Sequence, residues 1–360
     1  MSHTTRSNRL RGMGVVAFTL AVVALFATPA SAAAVPGTYT LTALVSNNGV
    51  PGTTVDARLQ NAWGLVAGPG TPWWVSDNGA DFSTLYNATG VKRNLNVSVD
   101  GGPTGIVFSG VSTAFKVGPN NAGALFIFAT EGGTIAGWHP SLGTTSQVKV
   151  DSSNGGAVYK GLAIASVASG PQLYATDFHN ARVDVFNATW AAVQTSGGFV
   201  DPKIPAGYAP FGIQTIGARI FVTYAKQGPG ARDEIDGQGL GFVDAFDTGG
   251  NLLARVAQRG QLNAPWGLAL APASFGPFGG DLLVGNFGDG HVNTYQEMAD
   301  GTFELIGALR TADGRRLAID GLWALEFGHG TVNNGPVDTL FFTAGPNHEA
   351  DGLFGTITAA

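Results

Sequence analysis

The sequence predicts an all-β fold, a six-bladed β-propeller built from four-stranded blades. Three observations carry that prediction. First, an apolar phrase with a small residue near its start recurs six times: "NAWGLVAGP" at Asn61, "GPTGIVFSG" at Gly102, "YKGLAIASV" at Tyr159, "APFGIQTIG" at Ala209, "APWGLALAP" at Ala264 and "GLWALEFG" at Gly321. With Gly64, Gly105, Gly161, Gly212, Gly267 and Ala324 as equivalents, the steps are 41, 56, 51, 55 and 57 residues. Such self-similarity is the mark of a repeat architecture. Second, each copy is followed by two more short runs that alternate or are continuously apolar, with Gly, Asn, Asp or Pro between them. These are strand and hairpin signals. Third, glycine reaches 54 of 360 residues while charged residues are only 12%. No Gly-X-Y period accompanies it, and 44% hydrophobic content excludes disorder.

The elements follow in chain order. Arg6, Arg9 and Arg11 precede the apolar run Gly14 to Ala27, and Ala30-Ser31-Ala32 fits a signal-peptidase site. Residues 1–32 therefore read as a cleaved Sec-type signal. Residues 33–360 read as one propeller domain, secreted to the extracellular space or the periplasm. No later stretch reads as a membrane span. "YTLTALV" (Tyr39 to Val45) alternates but belongs to no complete unit. The sixth unit ends with only three strands, so Tyr39 to Val45 is expected to supply its outer strand and tie the ring shut. The expected second strands are "PWWVSDN", "GALFIFATE", "QLYATDF", "RIFVTYA", "DLLVGNF" and "DTLFFTAG". The expected third strands are "STLYNA", "TIAGWHP", "RVDVFNA", "GFVDAFD", "HVNTYQE" and "GLFGTIT". "NLNVSV", "SQVKV", "GFVDPKI", "LLARVA" and "FELIGAL" are expected to close the first five units. Radial repetition of such units leaves only short, protected sheet edges. The chain has no cysteine, so its core stands without disulfides.

"TDFHNARVDVF" (Thr176 to Phe186) and "GNFGDGHVNTY" (Gly285 to Tyr295) resemble NHL-type propeller repeats, in which an Asp or Asn turn leads into an Arg/His-Val-x-x-aromatic strand. "GLWALEFG" with "FFTAGPNHEADGLFG" is similar to a family of secreted bacterial propeller proteins of unassigned activity. The resemblance implies the fold across residues 33–360 and implies no activity.

Function in a repeat fold is expected on the loops. The loops that start the inner strands and those joining second to third strands fall on one face. The inner-strand starts offer Asn61, Thr104, Lys160, Tyr208, Asn263 and Asp320. The second-to-third-strand loops offer Asp77, Asn78, Asp81, Glu131, Asp177, His179, Tyr224, Asn286, Asp289, His348, Glu349 and Asp351. From these, Asn61, Asp77, Asn78, Glu131, Asp177, His179, Asn286 and Asp320 form the expected ligand-binding set. Asp77, Glu131, Asp177 and Asn286 come from four blades and suit a hard cation such as Ca²⁺, which takes six to eight oxygens. The repeated Asp77 and Asp177 also have a local role open to them, since Asp at a hairpin end accepts backbone N–H bonds. "PNHEADG" (Pro346 to Gly352) departs from the repeat and offers Glu349 and His348 as a base or ligand. His179, His291 and His348 fall on or near this face, and His139 and His329 on the opposite one. Residues Tyr224 to Gly241 form an expanded, glycine-hinged loop that could act as a lid or binding loop. Trp63, Trp266 and Trp323, with Phe211, start inner strands and read as wedges between blades. Asn87-Ala-Thr and Asn187-Ala-Thr match glycosylation sequons and also suit hairpin turns.

Three of the 19 basic residues and none of the 25 acidic ones lie in residues 1–32, so the remainder carries an acidic excess of nine. That argues against nucleic acid and anionic membrane surfaces as partners. The expectation is a monomeric extracellular binding or scaffold module whose partner is a small molecule, a glycan or an extracellular protein. The alternative is a Ca²⁺- or Zn²⁺-dependent hydrolase, lactonase or lyase at the same channel mouth. The motifs leave open whether the protein is an enzyme: there is no GxSxG, HExxH or P-loop.

Overall fold

A computed structural model describes residues 1–3 and 38–360. The signal-like stretch and its cleavage site near Ala33 lie outside the described residues. Six antiparallel sheets form the blades of a propeller, each with its first strand innermost. Blade 1 runs Ala62–Val66, Trp73–Asp77, Phe82–Tyr86, Lys92–Ser98. Blade 2 runs Pro103–Phe108, Phe126–Thr130, Thr134–Trp138, Gln147–Asp151, with a small hairpin (Lys116–Val117, Ala122–Gly123) between its first two strands. Blade 4 runs Tyr208–Ile216, Arg219–Gln227, Phe242–Phe246, Leu252–Gln258, and blade 5 runs Pro265–Leu270, Leu282–Asn286, Val292–Glu297, Phe303–Ala308. Blade 6 takes Leu322–Phe327, Leu340–Ala344 and Leu353–Ala359. Its outer strand is Tyr39–Ser46, paired antiparallel to Leu353–Ala359 as expected.

The repeated small residue has a packing cause. A Cβ on Gly64 would stand 2.2 Å from the Thr104 carbonyl oxygen, and one on Gly212 would stand 2.1 Å from that of Trp266. At the five glycines the inner strand bears directly on the backbone of the next, so a Cβ does not fit, while blade 6 accommodates Ala324. The pairing register also shifts beside these positions, for example between Pro210 and Ile213. This is the bulge that lets inner strands converge on an axis.

A second-strand hydroxyl holds that bulge. Thr176 Oγ1 accepts from the Gly161 N–H at 2.7 Å and donates to the Phe211 carbonyl of blade 4 at 2.7 Å. Thr343 of blade 6 accepts from the Ala324 N–H at 3.2 Å and donates to the Trp63 carbonyl of blade 1. The same hydrogen bond thus latches the last blade to the first.

Blade 3 departs from the expectation. It runs Tyr159–Val167, Gly170–Asp177, Arg182–Asn187, but its fourth strand is only Ala192–Val193. "GFVDPKI" does not close it. Phe199 takes a left-handed backbone (φ 57°) and wedges between Tyr174 and Phe246 of the adjoining blades. Asp201 then binds Arg255, which also binds the buried Asp244 of blade 4. The segment is drawn away from its own blade's edge by an aromatic contact and a buried ion pair next door.

Candidate functional site

The channel differs at its two ends. At the inner-strand starts it is filled. Trp63 and Trp323, both essentially buried, stack across the axis with ring centroids 3.7 Å apart. Phe287 stacks on Trp323 at 4.1 Å, while Trp266 meets both indoles edge-on and Phe211 meets Trp323 edge-on. These residues come from blades 1, 4, 5 and 6, so the wedges expected between blades form a plug across them.

A polar chain seals the plug. Glu349 Oε2 accepts from Asn61 Nδ2 at 2.6 Å, and Asn61 Oδ1 accepts from the Trp323 indole at 2.8 Å. Asn61 Nδ2 also reaches Asn78 Oδ1 at 3.2 Å, and Asn78 Nδ2 donates to Glu131 Oε2 at 3.1 Å. Lys160 Nζ, on a residue only 1% exposed, bonds Glu131 Oε1 at 2.5 Å and Asp233 Oδ1 at 3.4 Å and sits 4.9 Å over the Trp63 ring. The Trp266 indole donates to the Lys160 carbonyl at 3.1 Å. One network thus touches all six blades.

Its electrostatics follow from burial. Burial works to raise Glu131, but the Lys160 ammonium and the Asn78 amide outweigh it and hold the carboxyl below its ordinary value. Burial likewise opposes the charge on Lys160, and Glu131, Glu234 and Asp233 overcome it, so its pKa is raised. Glu349 is raised by burial, against the pull of Lys160 and Asn61. Glu234, half-buried in the blade 4 loop, is pushed up to about 7 by the same cause. A buried ion pair of this kind costs several kcal/mol to break from one side, about 3–5.

Glu349 reaches the network through an unusual turn. Asn347, His348 and Glu349 all have left-handed backbones (φ 57°, 53° and 65°). Consecutive left-handed residues other than glycine are costly and persist only where the surroundings fix them. Asp320 does so by accepting from the Asn347 N–H at 2.9 Å. The expanded blade 4 loop folds back as a strand (Glu234–Ile235) against Arg219–Gln227 and carries Asp233 to Lys160 and Arg232 to within 3.6 Å of Glu131.

The expected set therefore divides. Asn61, Asn78, Glu131 and Glu349 come together, with Asp320 positioning the last. Asp77, Asp177 and Asn286 do not join them. Asp177 accepts from Val158 N, Asn180 N and Asn180 Nδ2 at 3.2, 3.2 and 2.7 Å, and so holds its own turn. Asn286 donates to the Gln261 carbonyl and to Asp289. Asp77 is fully buried, its carboxyl raised well above the ordinary value by desolvation. The oxygen ring expected for Ca²⁺ is not assembled, because three of its four members are turned into their own blades. Among the described residues no group of three or more His, Asp or Glu side chains is placed to hold a metal ion. His348 is exposed, and His179 is exposed with Nδ1 3.2 Å from the Gly230 carbonyl. Asn87 and Asn187 each accept from the N–H groups two and four residues on, so both sequons are built as turns.

The open end lies on the opposite face. A funnel of about 350 Å³ begins where the inner strands end, with walls from Leu65, Val66, Ile106, Val107 and Ile164. It narrows toward the axis, where residues from all six blades meet Trp266. Its polar groups are Gln214, Thr215, Glu326 and His329. His329 Nε2 lies 3.2 Å from Glu326 Oε1, and the Ala67 N–H approaches the same oxygen at 3.5 Å. Burial raises the Glu326 carboxyl, and its bond to Glu326 raises His329. Reading the loops of one face misses this pair. Its signal was Glu-x-x-His (Glu326 to His329) at the end of the sixth apolar phrase, where the other copies carry no acid.

No family model matches the chain. Among solved structures it is similar to virginiamycin B lyase from Staphylococcus aureus, with a TM-score of 0.51, 14% identity and coverage of 89% of this chain and 100% of that one. It is also similar to a protein of unknown function from Bacteroides thetaiotaomicron, with a TM-score of 0.56, 11% identity and coverage of 89% and 76%. At such identities the likeness is one of fold. In sequence it is 30% identical over 335 residues to uncharacterized protein R648 of Acanthamoeba polyphaga mimivirus, covering 89% of this chain and 80% of the viral protein. Uncharacterized protein L690 of the same virus matches at 30% over 335 residues, covering 89% and 86%. The chain belongs to the family of these uncharacterized mimivirus proteins.

Proposed function

We propose that the protein is a secreted, monomeric binding module that holds a small molecule in the axial funnel. One observation carries this reading: the channel is plugged by Trp63 and Trp323 at one end and open at the other, a cavity of about 350 Å³ lined by apolar side chains and polar groups in comparable measure. That volume falls in the range of small-molecule sites, and apolar walls with a few convergent polar groups are their usual lining. The loop face, where a ligand or cation site was expected, is closed by its own hydrogen bonds and serves as the floor's support. A metal-dependent hydrolase or lyase would need converging ligands, and the described residues do not supply them. Secretion rests on the signal-like residues 1–32 and on the resemblance to secreted bacterial propellers.

Fluorescence of the neutral apolar dye N-phenyl-1-naphthylamine tests the site. It is expected to rise on binding the protein and to fall to background in Thr215→Trp, which fills the funnel rim at a half-buried position. Equal dye binding by both proteins, with both folded, would remove the funnel from consideration.

A further inference from the structure

We infer that the funnel takes an amine: an apolar molecule with one protonated nitrogen, held by the free oxygen of Glu326. The inference rests on the binding reading above and names the ligand class for the same cavity.

The walls decide the body of the ligand. Leu65, Ile106, Val107, Ile164, Leu268 and Leu325 surround the cavity, so burial of a hydrocarbon or aromatic body supplies the attraction. The head group is decided by what is left unpaired. Glu326 Oε1 is occupied by His329 and faces the Ala67 N–H. Glu326 Oε2 makes no hydrogen bond among the described residues, and the side chain is 17% exposed, toward the funnel. The Thr215 hydroxyl is buried without a partner. A carboxylate oxygen only accepts, so the ligand must bring a donor. Among the described residues, Glu326 and His329 are the only ionisable side chains lining the cavity, and no lysine or arginine there competes for the carboxylate. A cationic donor therefore gains a charge-assisted bond, while an anionic ligand would face Glu326 directly.

The same pair sets a pH dependence. Below the titration of His329, the imidazolium neutralises Glu326 and competes with an ammonium for it. As pH rises through the raised His329 value, that proton leaves and the funnel gains one net negative charge. Amine binding is thus expected to strengthen with pH. Beyond the funnel lining, His329 packs near Trp73, with ring centroids 6.0 Å apart, which adds no charge.

Three probes of one shape separate the classes: 2-phenylethylamine, 2-phenylethanol and phenylacetate, titrated calorimetrically into the intact protein. The amine is expected to bind about tenfold tighter than the alcohol, the advantage of a charged over a neutral hydrogen bond, with phenylacetate weakest. Glu326→Gln is expected to abolish the preference for the amine over the alcohol. His329→Gln, which keeps Glu326, is expected to retain the amine preference and to flatten its rise with pH above the ordinary histidine value. An alcohol that binds as tightly as the amine, or an amine preference that survives Glu326→Gln, would overturn the ligand class. In either case, dye binding that is still lost in Thr215→Trp would leave the funnel as the site. Failure of all three probes counts against the amine, and failure of the dye as well removes both readings.

Discussion

Asp77 shows how a repeated side chain can be present without a shared role. Its counterpart Asp177 is saturated by the N–H groups of its turn, whereas neither Asp77 oxygen has a hydrogen-bond partner within ordinary distance. Burial raises the Asp77 carboxyl well above its ordinary value and so favours its neutral form in the folded protein. The unfolded chain ionises it near the usual carboxylate value, so folding takes up a proton and stability falls as pH rises above that value. Asp77→Asn, which is neutral at every pH, is therefore expected to raise the urea midpoint at pH 7.5 and to leave it nearly unchanged at pH 4. A midpoint lowered equally at both pH values would show that the carboxyl is ionised and paired. Asp177→Asn is expected to differ, since it removes an acceptor from a working turn. Sequence alone could place both aspartates on the same face. It could not separate them, because their difference lies in which neighbouring N–H groups turn toward them.

Between strands, the recurring device is the bulged inner strand, its glycine and the hydroxyl that latches it. The glycine was visible in the repeat because its cause is steric and local: the next backbone leaves no room for a Cβ. The hydroxyl was not, because Thr176 and Thr343 act across a blade boundary that spacing does not reveal. Thr343→Val keeps the shape and removes the bond. It leaves the Ala324 N–H and the Trp63 carbonyl unpaired in a buried place, at a cost of about 1–3 kcal/mol. Chemical denaturation should show that loss with an unchanged denaturant slope. No loss would mean that water or another group satisfies both. Blade 3 marks the limit of strand reading from sequence. "GFVDPKI" has the composition of a strand, but Phe199 and Asp201 find better partners in blade 4 than beside Ala192–Val193. Only tertiary packing decides that contest.

In the ring as a whole, the number of blades, their order and the closing strand were legible, since each follows from counting strands per repeat. The open end of the channel was not. Polar loop residues drew attention to one face, and there the aromatic side chains that looked like wedges meet across the axis and shut it. The cavity lies where the chain is mostly apolar and carries one acid and one histidine. Closure also makes a prediction. Deletion of residues 38–46 removes the outer strand of blade 6 and exposes the edge of Leu353–Ala359. The truncated protein is expected to lose its single cooperative thermal transition and to aggregate, measured by calorimetry and light scattering. A sharp transition in a soluble truncated protein would show that the other five blades stand alone. The pairing of Tyr39–Ser46 with Leu353–Ala359 has a further effect in time. The strand that leaves the ribosome first must wait, unpaired, for the one that leaves near the end. Until then the blades have no fastened circle to belong to, and a partly made chain stays loose. Under the secretion proposed above, that delay would keep the chain from locking before it has crossed a membrane.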